Sequence, residues 1–152
     1  MSAHLSQRYF EDIEVGECTE AVSFPLTVYR MVMAAGSTRD FNSIHHNTES
    51  AMASGADEMY ANTGFLLGTW ERCVRDWIGI GGTIRSLEKF RMRSFNYVGE
   101  TMVVQGKVIG KVIDASGAGV ISLEVESRSP RGISVGPGVV TVTLPRRVEV
   151  AA

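Results

Sequence analysis

The spacing of apolar residues changes near residue 80, from helical to alternating. Before that point, the strongest helical pattern runs from Glu58 to Trp77, where apolar residues recur at steps of three and four. After it, apolar and polar residues alternate, which is typical of half-buried strands. We predict strands over residues 84–93, 101–113, 120–128 and 139–144.

Shorter patterns fill the part of the chain before the long helix. We predict an irregular lead-in over residues 1–16 and a short strand over 17–23. Thr27 can cap a helix over 28–35, because threonine is a favoured N-cap residue. Gly36 is placed to end that helix, since glycine readily adopts the left-handed conformation found there.

Two further segments are predicted from turn and capping residues. A short helix is expected over 49–54, with Asn47 or Thr48 as its cap and Gly55 as its end. Near the C-terminus, the run Gly136-Pro137-Gly138 predicts a turn or a break before the last strand.

One long helix followed by antiparallel strands predicts an α+β fold. A sheet with one apolar face needs a cover, and an apolar helix needs a sheet. We therefore expect a single domain over 1–152 in which about five or six strands wrap around one long central helix. The residues expected in its core include Leu66, Leu67, Trp70, Val74 and Trp77 on the helix, and Met102, Val104, Val108 and Val112 on one face of a strand.

Composition narrows the classes of function. The net charge is −2 and 21% of the residues are charged, so we expect no nucleic-acid partner and no anionic membrane surface. No apolar run approaches the roughly 20 residues of a membrane span, and no signal peptide is expected. Cys18 and Cys73 do not form a metal-ligand pair, and the simplest interpretation is a reduced cytoplasmic protein with two packed thiols.

A polar stretch over residues 37–47 holds two of the three histidines. Asp40 and His45 lie five positions apart on a predicted loop, so their side chains can converge and share a water molecule. An imidazole and a carboxylate in that arrangement form a general acid/base pair. A hydroxyl–His arrangement stays open because Ser37, Thr38 and Ser43 are nearby, although the sequence has no G-x-S-x-G motif.

Two other interpretations of this stretch remain. A metal site could use Asp40, His45 and His46, but adjacent histidines rarely point the same way, and we expect no metal. In a purely structural interpretation, Asp40 caps a turn, Asn42 forms an Asx-turn and the histidines bind loop carbonyls. Composition alone favours the structural interpretation.

The order Asp40-x-Asn42-x-x-His45 is similar to the D-x-N-P-x-H signature of the MaoC-like (R)-specific enoyl-CoA hydratases and dehydratases. The resemblance extends to Tyr9-Phe10-Glu11-Asp12-Ile13, to the long helix, and to Tyr97-Val98-Gly99-Glu100-Thr101, which looks like that family's F-P-G-D-T turn. It implies the hot-dog fold, an antiparallel sheet around a long helix.

The resemblance also implies roles for residues. Asp40 and His45 would be the catalytic pair that activates water, with Asn42 as support. Backbone N–H groups of Thr63 and Gly64 at the start of the central helix would bind the thioester oxyanion. The remaining candidates for substrate contact are His46 and Asn62.

The same resemblance implies ligands and partners. The substrate would be an acyl-CoA thioester, and no further cofactor is expected. Hot-dog subunits pair, so a homodimer or a higher oligomer is expected, and a hetero-oligomer with a second hot-dog subunit is the alternative.

The sequence departs from the common family pattern at several positions. Arg39 replaces a glycine, Ser43 a proline, Asn47 an acidic residue, and Asn62-Thr63 a His-Gly pair. Three segments look closer to a subgroup, the small catalytic subunits of steroid side-chain enoyl-CoA hydratases: Thr38-Arg39-Asp40-Phe41, His45-His46 and Tyr60-Ala61-Asn62. This resemblance raises a bulky acyl group as an alternative substrate. Two alternatives stay open: a thioesterase that uses Glu58 or Glu71 on the central helix, and a non-catalytic acyl-CoA-binding subunit.

Overall fold

The computed structural model describes residues 7–147, and residues 1–6 of the predicted lead-in lie outside this range. The helices are α1 (Val28–Thr38), α2 (Thr48–Ala53) and α3 (Thr63–Ile78). The strands are β1 (Val22–Pro25), β2 (Thr83–Glu88), β3 (Thr101–Ile113), β4 (Gly119–Ser129) and β5 (Gly132–Leu144). They form one antiparallel sheet in the order β1-β3-β4-β5-β2.

The apolar face of α3 packs against the concave side of this sheet. Its buried residues form one cluster with side chains from β3, β4 and β5, as the helical and alternating patterns predict. Trp70 is fully buried at the centre, and its indole Nε1–H donates to Oγ of Ser127 at 2.8 Å. The expected architecture, one long helix wrapped by about five strands, is confirmed.

The Trp70 ring also explains why the predicted break at Gly136-Pro137-Gly138 is wrong. These residues lie inside β5, which runs from Gly132 to Leu144, at a point where its pairing with β4 shifts between Val125 and Ser127. A Cβ atom on Gly136 would lie 2.8 Å from the Trp70 ring, and one on Gly138 would lie 3.0 Å from it. The glycines therefore let a large side chain approach the strand, and they do not mark a turn.

The strand over 101–113 is confirmed, but Val112 is 59% exposed instead of buried. The pairing of β3 with β4 shifts between Val108 and Gly110, and this irregularity changes which side chains face the core beyond it. The strand predicted over 84–93 is shorter than expected, because β2 ends at Glu88 and Lys89 adopts a left-handed φ of 57°.

The long helix begins at Thr63, and not at Glu58. Asn62 is its N-cap, and its side-chain oxygen accepts from the N–H of Phe65 at 2.8 Å. Leu67 is 41% exposed and lies outside the core, because it is next to the buried stripe and not in it. Met59 packs instead in a second small cluster under α2.

The first helix extends past Gly36 and ends at Thr38, so the predicted end is wrong. The residue that ends it is Arg39, which adopts a left-handed φ of 57°. Thr27 is the N-cap, as predicted, and its hydroxyl accepts from the N–H of Arg30 at 3.2 Å.

The first strand lies at Val22–Pro25 and not over 17–23. Cys18 makes only an isolated bridge with Lys107, and its side chain is exposed, so only Cys73 is a packed thiol. Burial raises the pKa of the Cys73 thiol. Within residues 7–147, no helix combines the length and the apolar character needed to cross a membrane.

Candidate active site

Arg39 adopts a left-handed conformation that ends α1, so Asp40 lies beyond the end of the helix. The N–H groups of Arg39 and Asp40 donate to the carbonyls of Gly36 at 3.2 Å and Ala35 at 3.0 Å. Glycine is the usual residue before the aspartate in the resembling family, and the positive φ gives a physical reason for it. This chain keeps the same turn with an arginine.

A short 3₁₀ turn over Ser43–His45 places His45 opposite Asp40. The side-chain oxygen of Asn42 accepts from the N–H of Ile44 at 3.4 Å, and its carbonyl accepts from the N–H of His45 at 3.1 Å. Asn42 therefore stabilises the turn that carries the histidine.

His45 is 8% exposed, and both of its ring nitrogens have partners. Nε2 lies 3.2 Å from Oδ2 of Asp40, and Nδ1 lies 2.9 Å from the backbone carbonyl of Tyr60. A carbonyl oxygen only accepts, so Nδ1 carries a proton and Nε2 is the nitrogen that can gain or lose one. An ionised carboxylate also only accepts, so the contact with Oδ2 of Asp40 is a hydrogen bond when Nε2 is protonated and leaves two facing acceptors when it is not. The Tyr60 ring meets the imidazole edge-on at 5.3 Å and fixes its orientation.

The pair can bind and move one proton. The Asp40 side chain is 39% exposed, so water reaches the carboxylate. When His45 is neutral, Nε2 and Oδ2 are two acceptors that a single water molecule can bridge with its two O–H groups. Either acceptor can then take a proton from that water, and when Nε2 takes it the Asp40 carboxylate stabilises the imidazolium that forms.

The N-terminus of α3 lies beside the pair, because Tyr60 and Asn62 are two residues apart. The Nδ2 group of Asn62 donates to the hydroxyl of Thr38 at 2.6 Å, so this buried amide has partners inside the protein at both ends. The first N–H groups of a helix lack partners within the helix, and Thr63 and Gly64 occupy the first two positions of α3.

Other polar residues of the stretch have local partners. Nε2–H of His46 donates to the carbonyl of Phe41 at 3.4 Å, and the His46 side chain is exposed. Oγ of Ser37 donates to the carbonyl of Ala34 at 3.1 Å. Among the residues that the structure describes, no group of three or more His, Cys, Asp or Glu is placed to hold a metal ion.

Sequence reasoning missed Tyr60 and Thr38. Tyr60 contributes a backbone carbonyl and a ring to His45, and Thr38 contributes a hydroxyl to Asn62. A backbone carbonyl has no sequence signal, and the hydroxyl of Thr38 is one of several in the polar stretch, so its type alone does not distinguish it.

The two carboxylates considered for a thioesterase lie apart from Asp40 and His45. Glu58 precedes α3 and accepts from the hydroxyl of Thr48 and from the N–H of Met59, and the Thr48 contact lowers its pKa. Glu71 lies on α3, 3.7 Å from Arg75. It borders a cavity of about 290 Å³ between α3 and β2, lined by Leu67, Trp70, Glu71, Arg75, Ile84, Leu87 and Val140.

Known proteins with a similar sequence identify the family. This chain is 31% identical over 102 residues to the beta subunit of 3-oxo-4,17-pregnadiene-20-carboxyl-CoA hydratase from Mycobacterium tuberculosis. The aligned region covers 67% of this chain and 74% of that protein. The chain belongs to the MaoC-like family of enoyl-CoA hydratases and dehydratases. No family model matches the sequence.

Solved structures agree with the MaoC-like assignment. The ChsH1–ChsH2 complex from Mycobacterium tuberculosis contains a chain that is 28% identical, with a TM-score of 0.75 and coverage of 88% of this chain and 98% of that chain. The (R)-hydratase from A. caviae involved in PHA biosynthesis is 18% identical, with a TM-score of 0.79 and coverage of 89% and 99%. The fold of this MaoC-like chain is the hot-dog fold, as the resemblance implied.

Proposed function

We propose that this chain catalyses the addition of water to a trans-2-enoyl-CoA, or the reverse dehydration, with Asp40 and His45 as its acid/base pair. The observation that supports this most directly is the 3.2 Å approach of Nε2 of His45 to Oδ2 of Asp40. The Tyr60 carbonyl orients the imidazole so that Nε2 faces the carboxylate.

In the proposed reaction, the pair takes one proton from water as the water oxygen bonds to C3. The C2=C3 electron pair moves toward the thioester, and the carbonyl oxygen gains negative charge. The pair then delivers one proton to C2, the charge returns to C2 as a C–H bond, and the pair regains its starting protonation state. Atoms and electrons balance without a further reactant.

The N-terminus of α3 supplies the electrostatic part of the proposal. The thioester oxygen becomes enolate-like, and fixed N–H donors aimed at such an oxygen stabilise the transition state. The N–H groups of Thr63 and Gly64 have this role in our proposal. Asn42 supports the turn that carries His45, and His46 remains a candidate for contact with the substrate.

Two variants test the mechanism. Asp40→Asn and His45→Ala should each lower kcat for hydration of a 2-enoyl-CoA by at least about 100-fold, because general acid/base catalysis contributes factors of this size. Loss of the enoyl thioester absorbance measures the rate, and circular dichroism checks the fold. Asp57→Asn, which changes an exposed aspartate outside the pair, is the matched control. Wild-type turnover in either variant would remove the pair from the mechanism.

We further propose that the working unit is an oligomer. The ChsH1–ChsH2 neighbour is a complex of two different chains, which favours a second hot-dog subunit as a partner of this chain. Light scattering at micromolar concentration should give a dimer or a larger species, and a monomer would contradict this.

A non-catalytic subunit is the second candidate, favoured by the same two-protein neighbour. Activity of the purified chain alone would exclude it. If turnover requires a partner, the Asp40→Asn variant of this chain decides which subunit carries the pair: the complex loses its activity if the pair acts here, and keeps it if the partner is catalytic.

A further inference from the structure

A chain of hydrogen bonds joins the last turn of α1 to the first turn of α3. The hydroxyl of Thr38 donates to the carbonyl of Ala34 at 2.8 Å and accepts from Nδ2 of Asn62 at 2.6 Å. At its other end, Oδ1 of Asn62 accepts from the N–H of Phe65 at 2.8 Å. The connection therefore runs unbroken between the two helices.

The donor and acceptor roles in this series of hydrogen bonds can be assigned in only one way. The N–H of Phe65 can only donate, so the amide atom facing it is the oxygen of Asn62, and the nitrogen faces Thr38. The Thr38 hydroxyl uses its single proton on the Ala34 carbonyl, which leaves a lone pair for Asn62. Asn62 is 2% exposed, so loss of the Thr38 hydroxyl leaves a buried donor without its partner.

Close packing adds a second contact at the same place. A Cβ atom on Gly64 would lie 2.8 Å from the Cγ2 methyl of Thr38, closer than real Cβ contacts. The Thr38 methyl therefore occupies the space beside the Gly64 backbone. Thr38 contacts the start of α3 through its hydroxyl and through its methyl group.

The contact between Thr38 and Asn62 joins the segment that carries the acid/base pair to the segment that carries the proposed oxyanion donors. Thr38 lies two residues before Asp40, and Asn62 immediately precedes Thr63 and Gly64. We propose that Thr38 and Asn62 are positioning residues that hold the oxyanion N–H groups at a fixed distance from the Asp40–His45 pair. This inference rests on the proposed function, and neither side chain touches the reacting atoms in this role.

Thr38→Val tests the inference, because valine keeps the shape of threonine and removes the hydroxyl. We expect kcat to fall by about 10-fold or more with KM changed by less than about 2-fold, since small misplacements of reacting groups cost rate. Thr38→Ser keeps the hydroxyl and removes the methyl, so its kcat should be closer to that of the wild type than the kcat of Thr38→Val. Ser37→Ala is the matched control, because Ser37 donates to the same Ala34 carbonyl. Equal kcat values for Thr38→Val and Ser37→Ala would overturn the inference.

A second variant tests whether the two residues act together. Asn62→Ser keeps a capping oxygen for α3 but is too short to reach Thr38. The double variant Thr38→Val/Asn62→Ser should lose no more kcat than the more damaging single variant, because both break the same contact. Fully additive losses would contradict a shared role.

The amide resonances of Thr63 and Gly64 give a readout that needs no activity. In ¹⁵N-labelled protein they should shift in Thr38→Val by more than in Ser37→Ala. If the wild type hydrates no enoyl-CoA but these resonances shift, the proposed function fails and the positioning contact stands. If the wild type is active while the resonances and kcat of Thr38→Val match those of Ser37→Ala, the positioning inference fails and the proposed function stands.

Discussion

The helix–sheet core and the segment over residues 27–62 are stabilised in different ways. The core buries apolar side chains from α3, β3, β4 and β5 in one continuous cluster. The segment has a small apolar cluster around Ala51, Ala56 and Met59, and side-chain caps at the start of each helical turn. Those capping residues are Thr27, Asn42, Asn47 and Asn62.

This difference separates stability from chemistry. Burial stabilises the core in proportion to apolar area, and a polar group buried there is costly unless it is hydrogen-bonded. Caps and turns stabilise the segment with individual hydrogen bonds, which leaves Asp40 and Arg39 near solvent. A rigid core that presents a hydrogen-bonded polar segment is a common way to place a reactive pair.

The largest expected effect lies in the core. Trp70→Ala should lower the free energy of unfolding by about 3–5 kcal/mol, because it leaves a cavity and removes the bond to Ser127. Chemical denaturation measures this loss. Ile80→Ala, at a position that is 87% exposed, is the control and should change stability by less than about 0.5 kcal/mol. If Ile80→Ala lowered the free energy of unfolding as much as Trp70→Ala, the core would not be the main source of stability.

The core could be predicted from the sequence and the segment only in part, for a physical reason. Periodic burial of Trp70 and Val74 leaves a pattern along the chain, so α3 and β3 were predicted. The start of α3 depends on one capping bond from Asn62, and the glycines of β5 are explained by the ring of Trp70, which is far away in the sequence. The residue types at Asp40 and His45 were visible, but the Tyr60 carbonyl that orients the imidazole has no side-chain signature.

A cap in the segment should have a smaller effect than a core residue. Asn47→Ala removes the oxygen that accepts from the N–H of Ser50 at 2.8 Å at the start of α2, and should cost about 1 kcal/mol. Thermal or denaturant unfolding measures the change. Asn47→Asp keeps a capping oxygen and should preserve stability, so an equal loss in both variants would exclude the cap as the cause.

A substitution of Arg39 by glycine should raise the free energy of unfolding, whereas the Trp70 and Asn47 variants lower it. Its φ of 57° is unfavourable for a side chain with a Cβ atom, and glycine removes that strain at the cost of a more flexible unfolded chain. We expect Arg39→Gly to raise the free energy of unfolding by about 0.5–1 kcal/mol. Arg39→Ala is the control for loss of the charge alone, and equal stability of the two variants would contradict the strain explanation.

The smallest expected effect is a pH dependence at Glu58. The Thr48 hydroxyl and the Met59 N–H lower the pKa of this carboxyl below its ordinary value of 4.5, so in this range the unfolded chain binds more protons. This contribution to stability is present above pH 4.5 and is lost as the pH falls through the lowered pKa. Glu58→Gln should flatten the acid side of the stability curve, and Glu124→Gln controls for the loss of one exposed carboxylate. An unchanged acid slope in Glu58→Gln would contradict this account.

Hydration in ¹⁸O-labelled water tests the central claim most directly. If Asp40 and His45 add water to the enoyl group, mass spectrometry of the product will place the label on the C3 hydroxyl of a 3-hydroxyacyl-CoA. Asp40→Asn should abolish this product. A label found instead on a free carboxylate, or an unchanged labelled product from Asp40→Asn, would contradict the account.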